Sequence, residues 1–419
     1  MGGGFGGAYC AQTLERRLRP GMADVLLLDR NNYFTFYPLL MEAGTGSLEP
    51  RHAVVPIRSF LRHTAFRMGQ VEAIDFERRL VRYRLTGSDL VGESPYDHLV
   101  LALGSVTRWP QVPGLREYAC QMKTLGDAVA LRDRAIRLLE WADAVDDPNR
   151  RRALLHFVVV GANFSGIEVA GELDVSVRKV CRSYPNIRPE QCSITLVEIA
   201  DRVLPILDQD LSAYATKHLR RRGIRICLKT SVSEVRPDTV VLSTGEELPA
   251  YTLIWCAGIE PNPLVRQLGL PTGPKGHVLC ERDLRVRGFD NVWAIGDCAS
   301  IPDPHGQPYP PTAQHAVREG YHLAANLARV LAGKPPTACD IVSKGALVAL
   351  GCHSGVGKVY GYKVAGLPAW FLWRTVYLMK MPGLARKVKV ALDWTLGLFF
   401  PHEHVQLGIH RGGDDSVTQ

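Results

Sequence analysis

Two short glycine-rich runs hold the residue types best suited to chemistry in this chain. Gly2-Gly3-Gly4-Phe5-Gly6-Gly7 fits the pattern G-x-G-x-x-G. Gly161-Ala162-Asn163-Phe164-Ser165-Gly166 repeats it, with Asn163 in place of the middle glycine. Glycines so spaced let a turn of backbone approach a pyrophosphate, whose charge is met by the N-terminus of the next helix. Asn tolerates left-handed backbone better than most residues, which keeps the second run in the pattern. Each run is followed by an acid at the end of an apolar stretch: Asp29, 22 residues after Gly7, and Glu198, 32 residues after Gly166. A carboxylate at that place accepts from ribose hydroxyls. A third candidate is Gly296-Asp297, which ends the apolar run from Val292. An acid there suits a chain of sugar-like hydroxyls; the alternative is an aspartate capping a plain strand-to-helix turn.

These turns need strands before them and helices after them. Ala8 to Leu18 reads as a helix closed by Pro20-Gly21, and Val25 to Leu28 as a short strand. In the second copy Leu155–Val160 is a buried strand, Ile167–Leu173 opens a helix, and Ser193–Val197 is the next strand. Each copy continues alike. Val71–Ile74 and the run from Tyr96 to Gly104 are matched by Val232–Val235 and the run from Tyr251 to Gly258. One glycine turn is weak evidence, but two with matching acids and downstream strands predict an α/β chain with two Rossmann-like dinucleotide-binding domains. Six residues precede Gly161 as a strand, whereas only Met1 precedes Gly2. The first domain is therefore read as lacking its first strand, and a start upstream of Met1 is expected.

Composition bounds the remainder. With 419 residues, 46% hydrophobic and 22% charged, the chain suits two or three globular domains and excludes disorder, collagen and coiled coil as the main architecture. No stretch of 18 or more residues is apolar and free of charge, which argues against a spanning helix. Ten cysteines include no CxxC, so zinc, iron–sulfur and dithiol centres lose their usual support and no metal is expected. The net charge of +8 is concentrated between Asp340 and Phe400, where eight Lys/Arg face two Asp. Leu367–Met381, with Trp370, Phe371, Trp373 and Tyr377, and Leu384–Phe400 read as two helices broken by Pro382-Gly383. Aromatics mixed with cations suit helices lying in a headgroup layer; the alternative is a dimerising or core-packing hairpin. Nucleic acid is not expected, since a strand-binding groove does not need so much aliphatic surface.

Gly2–Gly7, Gly161–Gly166 and Gly296-Asp297-Cys298 together resemble the flavoproteins with two dinucleotide-binding domains. Narrower features resemble the type II NADH:quinone oxidoreductases, which do not pump protons: Asn31–Leu40, Ala43–Leu48, Gly166–Leu173, Ala313–Gly320 against A-Q-x-A-x-Q-x-G, and Lys344-Gly345-Ala346-Leu347. The resemblance covers nearly the whole chain. It implies FAD on the first copy, NADH on the second, and electrons leaving to a membrane quinone. It implies cofactor contacts at Gly2, Gly4, Phe5, Gly7, Asp29, Arg30, Thr45, Val71, Gly104, Gly296, Asp297 and Ala313, and at Gly161, Asn163, Phe164, Ser165, Gly166, Glu198 and Gly258. Glu168, Gln314 and Lys344 are the implied catalytic residues, and Gln314, His315, Arg318 and Lys344 the implied quinone contacts, with Arg318 standing where the motif has its second Gln. Glu198 is expected to favour NADH over NADPH, with Arg202 close by in sequence. The implied architecture is an FAD domain from 1–113 and 259–338, an NAD domain from 114–258, and a quinone and membrane module over 339–400, followed by a loose tail at 411–419. The partners implied are the quinone, a membrane touched peripherally through residues 367–400 at the cytoplasmic face of the cell, and a second copy in a homodimer. A sulfide:quinone oxidoreductase using Cys120 and Cys352, a soluble ferredoxin or rubredoxin reductase, and an NADH-sensing flavoprotein without turnover are the alternatives.

Overall fold

At Gly2 the backbone takes a φ of +89°, the left-handed region that glycine enters without strain, and it passes directly into the helix Phe5–Arg17. That helix buries Phe5, Ala8, Ala11 and Leu14 on one side and ends on Arg16 and Arg17, where cations suit the carbonyl end of the dipole. The computed structural model describes residues 1–400 and 405–408; the expected tail at 411–419 lies outside the described residues.

The chain forms two compact units, each assembled from three stretches. The first unit comprises Met1–Thr35, Val54–Val106 and Ile259–Ser343. The strand Leu26–Asp29 runs parallel to the start of Ala65–Asp75, with Leu26 opposite Ala65 and Asp29 opposite Met68. The far part of Ala65–Asp75 continues antiparallel to Leu80–Leu85, which pairs with Val91–Pro95. Leu99–Leu101 pairs in parallel with Val292–Ala294. Met1 and Gly2 are bonded on both sides. The Gly2 amide donates to the Leu28 carbonyl, the Ala102 amide to the Met1 carbonyl, and the Met1 amino group to the Val100 carbonyl, each at 2.8 Å. Helix Ala313–Leu331 packs on Phe5–Arg17, and Gly320 makes the contact possible: a Cβ there would stand 2.5 Å from the Gly6 carbonyl oxygen. Beneath lie Leu28, Leu101, Trp293, Ile295 and Leu323, all buried.

The second unit comprises Phe36–Ala53, Thr107–Gly258 and Lys344–Gln419. Its five-stranded parallel sheet runs in the order Arg225–Cys227, Ser193–Val197, His156–Val160, Thr252–Trp255, Ala119–Gln121. Thr252–Trp255 is buried at every position, as expected of a parallel strand covered on both faces. Helices Leu125–Ala144, Phe164–Cys181 and Gln209–Arg221 accompany the sheet. The first of these opens on a capping box between Thr124 and Asp127. From Lys344 the chain makes an antiparallel meander of Gly345–Gly351, Ser354–Val359 and Tyr362–Gly366. The helices Leu367–Lys380 and Leu384–Phe399 follow, parted by a turn in which Gly383 has a φ of +83°. Two features differ from the linear reading. Phe36–Ala53 clusters with the second unit, and the meander precedes the helices. No helix among the described residues is long and apolar enough to cross a membrane.

Candidate active site

The two glycine turns are the same construction made twice. In the first, the Gly3 amide donates to Asp29 Oδ2 at 2.6 Å and the Asn31 amide to Oδ1 at 2.7 Å. In the second, the Ala162 amide donates to Glu198 Oε2 at 2.5 Å and the Ala200 amide to Oε1 at 2.8 Å. Gly161 repeats the left-handed φ, at +99°, and its amide donates to the Val197 carbonyl at 2.8 Å as that of Gly2 does to Leu28. The last glycine of each run is sterically required. A Cβ on Gly7 would stand 1.9 Å from the Gly2 oxygen, and one on Gly166 1.8 Å from the Gly161 oxygen. Asn163 does what a glycine cannot: its Oδ1 accepts from the Gly166 amide at 3.0 Å, capping the helix, while its Nδ2 donates to the Cys256 carbonyl at 2.7 Å. Phe164 and Ser165 are half-buried at the start of that helix. Burial holds the Asp29 carboxyl above its usual range, although both amides and Arg30 pull the other way.

Elsewhere in the first unit, Gly296 has a φ of +71° and its amide donates to Glu319 Oε2 at 2.6 Å. Glu319 is buried, and that burial pushes its carboxyl up to about 7. The neighbouring Asp297 accepts from the Ser105 hydroxyl at 2.7 Å. On helix Ala313–Leu331, Gln314 Nε2 donates to Ser343 Oγ at 3.3 Å and the Arg318 guanidinium donates to the Val342 carbonyl. Both therefore secure the segment leading to Lys344. His315 turns inward: it is 6% exposed, its Nδ1 lies 2.7 Å from Thr312 Oγ1, and burial lowers its proton affinity. Gly104 has left-handed backbone, Val71 is half-buried on its strand, and Ala313 opens the helix.

In the second unit Glu168 sits in a buried cluster of acids and aromatics. Its Oε1 accepts from Trp373 Nε1 at 3.1 Å and from the Ala349 amide at 3.3 Å. Burial pushes the carboxyl up to about 8; the two hydrogen bonds oppose the shift, and the charges of Glu42 and Glu172 add to it. Glu42 accepts from Trp394 Nε1 at 2.7 Å and is pushed by burial up to about 7, with Arg374 opposing. Burial raises Glu172 as well, against Arg374 and Arg222. The Arg374 guanidinium lies 4.3 Å from the Trp370 ring centroid and 4.7 Å from that of Trp394. The residues holding this cluster come from Phe36–Ala53, from helix Phe164–Cys181 and from both C-terminal helices. Of these only Glu168 is expected in the site from the sequence; Trp370 and Trp373 are expected there instead as aromatics of a helix in the headgroup layer. The signal for Glu42 and Arg374 was a charge inside an apolar run, which a fold retains only with partners.

Thr45 is buried with its hydroxyl on the Met41 carbonyl at 3.0 Å, and Gly258 has a φ of +76°. Lys344 is exposed, its Nζ 5.9 Å from the Tyr360 ring centroid. All ten cysteines are free thiols, Cys120 and Cys352 included.

The profile of the pyridine nucleotide-disulphide oxidoreductases matches residues 1–320. A protein of Dictyostelium discoideum named "Probable NADH dehydrogenase" is 31% identical over 384 residues, 90% of this chain and 84% of that one. The "Type II NADH:quinone oxidoreductase" of Staphylococcus saprophyticus is 27% identical over 381 residues, 90% of this chain and 92% of that one. Among solved structures, NDH2 of Plasmodium falciparum in complex with NADH superposes with a TM-score of 0.88 at 20% identity, covering 96% of this chain and 98% of that one.

Proposed function

This chain belongs to the pyridine nucleotide-disulphide oxidoreductase family, and from that premise we propose that it is a type II NADH:quinone oxidoreductase. It takes a hydride from NADH and passes two electrons to a membrane quinone without pumping protons. The observation that carries this reading is the duplicated turn: two glycine bends, each with its acid locked onto a turn amide, in one chain. Two dinucleotides are what a flavoprotein reductase must hold.

FAD fits the first turn. A Cβ on Gly4 would meet nothing within 4 Å, so backbone there is open to a close phosphate. Gly2, Gly4, Phe5, Gly7, Asp29 and Arg30 would hold its pyrophosphate and ribose, and Gly296 with Asp297 its polyol chain. Bound there, the flavin supplies the two-electron chemistry between nicotinamide and quinone. NADH takes the second turn through Gly161, Asn163, Phe164, Ser165 and Gly166, and Glu198 receives its 2′-hydroxyl. Thr45, Val71, Gly104, Gly258 and Ala313 complete the cofactor contacts by family resemblance. Glu168 helps place the nicotinamide and holds a proton on its carboxyl at neutral pH, because water is kept from it. Reduction of the quinone consumes one proton beyond the hydride, and Glu168 is the group poised to give it. Gln314 and Lys344 act on the quinone side.

The enzyme is peripheral, at the cytoplasmic face of the membrane. Leu384, Val388, Leu392 and Leu396 recur every fourth residue on helix Leu384–Phe399 and are 78%, 50%, 52% and 52% exposed. Such an apolar stripe on a basic helix fits the headgroup layer. The test is steady-state NADH oxidation by the full chain with FAD, comparing a ubiquinone or menaquinone analogue, sulfide as donor, and a one-electron protein acceptor. Fast turnover with quinone is expected. Turnover confined to the protein acceptor would overturn the proposal.

A further inference from the structure

The meander of the second unit ends in an exposed tip built from two tyrosines and a glycine. Val359 pairs with Tyr362, which leaves a two-residue loop, Tyr360-Gly361, with φ of +49° and +87°. Positive φ at both positions is the turn that matches the twist of a hairpin, and Asn-Gly or Asp-Gly fills it best. A bulky aromatic in left-handed backbone is strained. Leu204 and Leu284 are held the same way, but both are buried, and burial offsets the strain. Tyr360 has no such offset: it is 68% exposed, and Tyr362 beside it is 78% exposed.

The tip stands on a fixed base. Lys358 and Lys363 face each other across the hairpin, and both reach the start of helix Gln209–Arg221. Lys358 Nζ lies 3.2 Å from Asp208 Oδ2, and Lys363 Nζ lies 2.9 Å from the same oxygen and 2.9 Å from Asp210 Oδ1. This clasp braces each strand one residue short of the loop, so the tyrosines project from a held frame. Lys344 is beside them: the Tyr360 amide donates to its carbonyl at 3.0 Å, and its ammonium lies near the Tyr360 ring. Lys344 is exposed and makes no ion pair among the described residues. A few residues on, the chain enters helix Leu367–Lys380, where Leu367, Phe371 and Met379 recur on one face and are exposed. The tip is thus continuous along the chain with the apolar helix faces assigned to the membrane.

We propose that the Tyr360–Tyr362 tip is a separate membrane contact, in which both phenols enter the headgroup layer of anionic phospholipid and the Lys344 ammonium meets the phosphates. The inference rests on the peripheral-membrane reading above. A phenol joins an apolar ring to a polar hydroxyl, and it is favoured where one end is dry and the other wet. The ring leaves water while the hydroxyl keeps its partners among the headgroups. A cation at the same level draws the tip to a negative surface. A protein partner needs a complementary hollow, whereas lipid needs only the rigid, exposed projection that the hairpin supplies. The strain at Tyr360 is kept because the side chain acts outside the fold: an asparagine suits the turn better and the membrane worse.

The experiment is co-sedimentation of the full, FAD-loaded chain with vesicles of phosphatidylglycerol and phosphatidylethanolamine. Tyr360→Asn combined with Tyr362→Thr should weaken binding by about fivefold or more. Its melting temperature should stay level or rise, since Asn-Gly relieves the turn. Tyr362→Trp, which keeps an amphipathic ring, should retain the wild-type affinity. Oxidation of NADH with a water-soluble, short-chain quinone should be the same in all three proteins. Undiminished vesicle affinity in the double variant overturns the proposal. So does a lowered melting temperature, which would mean that the tyrosines serve the fold. The parent reading is judged separately: a wild type that ignores the vesicles sinks the peripheral-membrane reading itself, whereas a wild type and a double variant that bind equally sink only the tip.

Discussion

Glu168 and Glu42 hold protons at pH values where a carboxyl in water has lost them, because the cluster around them excludes solvent. That has a thermodynamic consequence with a fixed sign. A carboxyl raised from about 4.5 in the unfolded chain to about 8 folded binds more protons in the native state between those values. Its contribution to stability is therefore lost as pH rises through that window, and is level above it. Glu42 adds the same trend up to about 7. Glu168→Gln keeps the shape and an acceptor for Trp373 but cannot ionise. Its melting temperature should fall less than that of the wild type between pH 5 and 8.5, as read by calorimetry, and parallel curves would mean Glu168 is not protonated in the fold. In stopped-flow, the same variant should slow reoxidation by quinone more than reduction by NADH. Trp394→Phe leaves Glu42 Oε2 without its donor and should cost about 1–3 kcal/mol in urea unfolding.

At the scale of elements, the helix pair Phe5–Arg17 and Ala313–Leu331 depends on the absence of one methyl group. Gly320→Ala sets a Cβ 2.5 Å from the Gly6 oxygen and 3.2 Å from the Cys10 nitrogen, both backbone atoms that cannot step aside. Overpacking of this kind costs about 1–3 kcal/mol, and it displaces the turn at Gly2–Phe5. The purified variant should carry less flavin per protein by absorbance; full flavin content would show that the helices shift without moving the turn. The turns and their strands were legible in the sequence, since glycine spacing and apolar runs are local signals. Ser193–Val197, predicted as a strand, is one with the same limits. The meander at Gly345–Gly366 was not legible, because Gly345, Gly351, Gly355, Gly357 and Gly366 dilute the β-branched pattern that marks strands. Glu168 was legible through its motif. Glu42, Arg374, Trp373 and Trp394 were not, because stretches hundreds of residues apart meet there, and no periodicity encodes that meeting.

For the whole molecule, the C-terminal helices serve two sides. Their outward stripe is apolar and exposed, while inward they supply Trp373, Arg374 and Trp394 to the acid cluster, and Asp393 to His52 at 2.5 Å. Val388→Ser with Leu392→Ser and Leu396→Ser should release the protein from anionic phospholipid vesicles in co-sedimentation; retention at the wild-type level would assign the stripe to a second copy of the chain. Deleting everything from Leu367 onward is a harsher change, since it also uncovers Glu168 and Glu42. The interleaving of segments has a consequence in time. The chain passes between its two units five times, and the first is not complete until residue 343. At a synthesis rate of about 5–20 residues per second, the glycine bend at the head of the protein waits roughly 20–70 s for the helix that covers it. The five parallel strands of the second unit all lie between residues 119 and 255, so they are finished while the first is still partly unmade. During synthesis the sheet in the middle of the chain is therefore available before either unit is whole: the head waits for the helix Ala313–Leu331, and the second unit closes only with the segment from Lys344 onward.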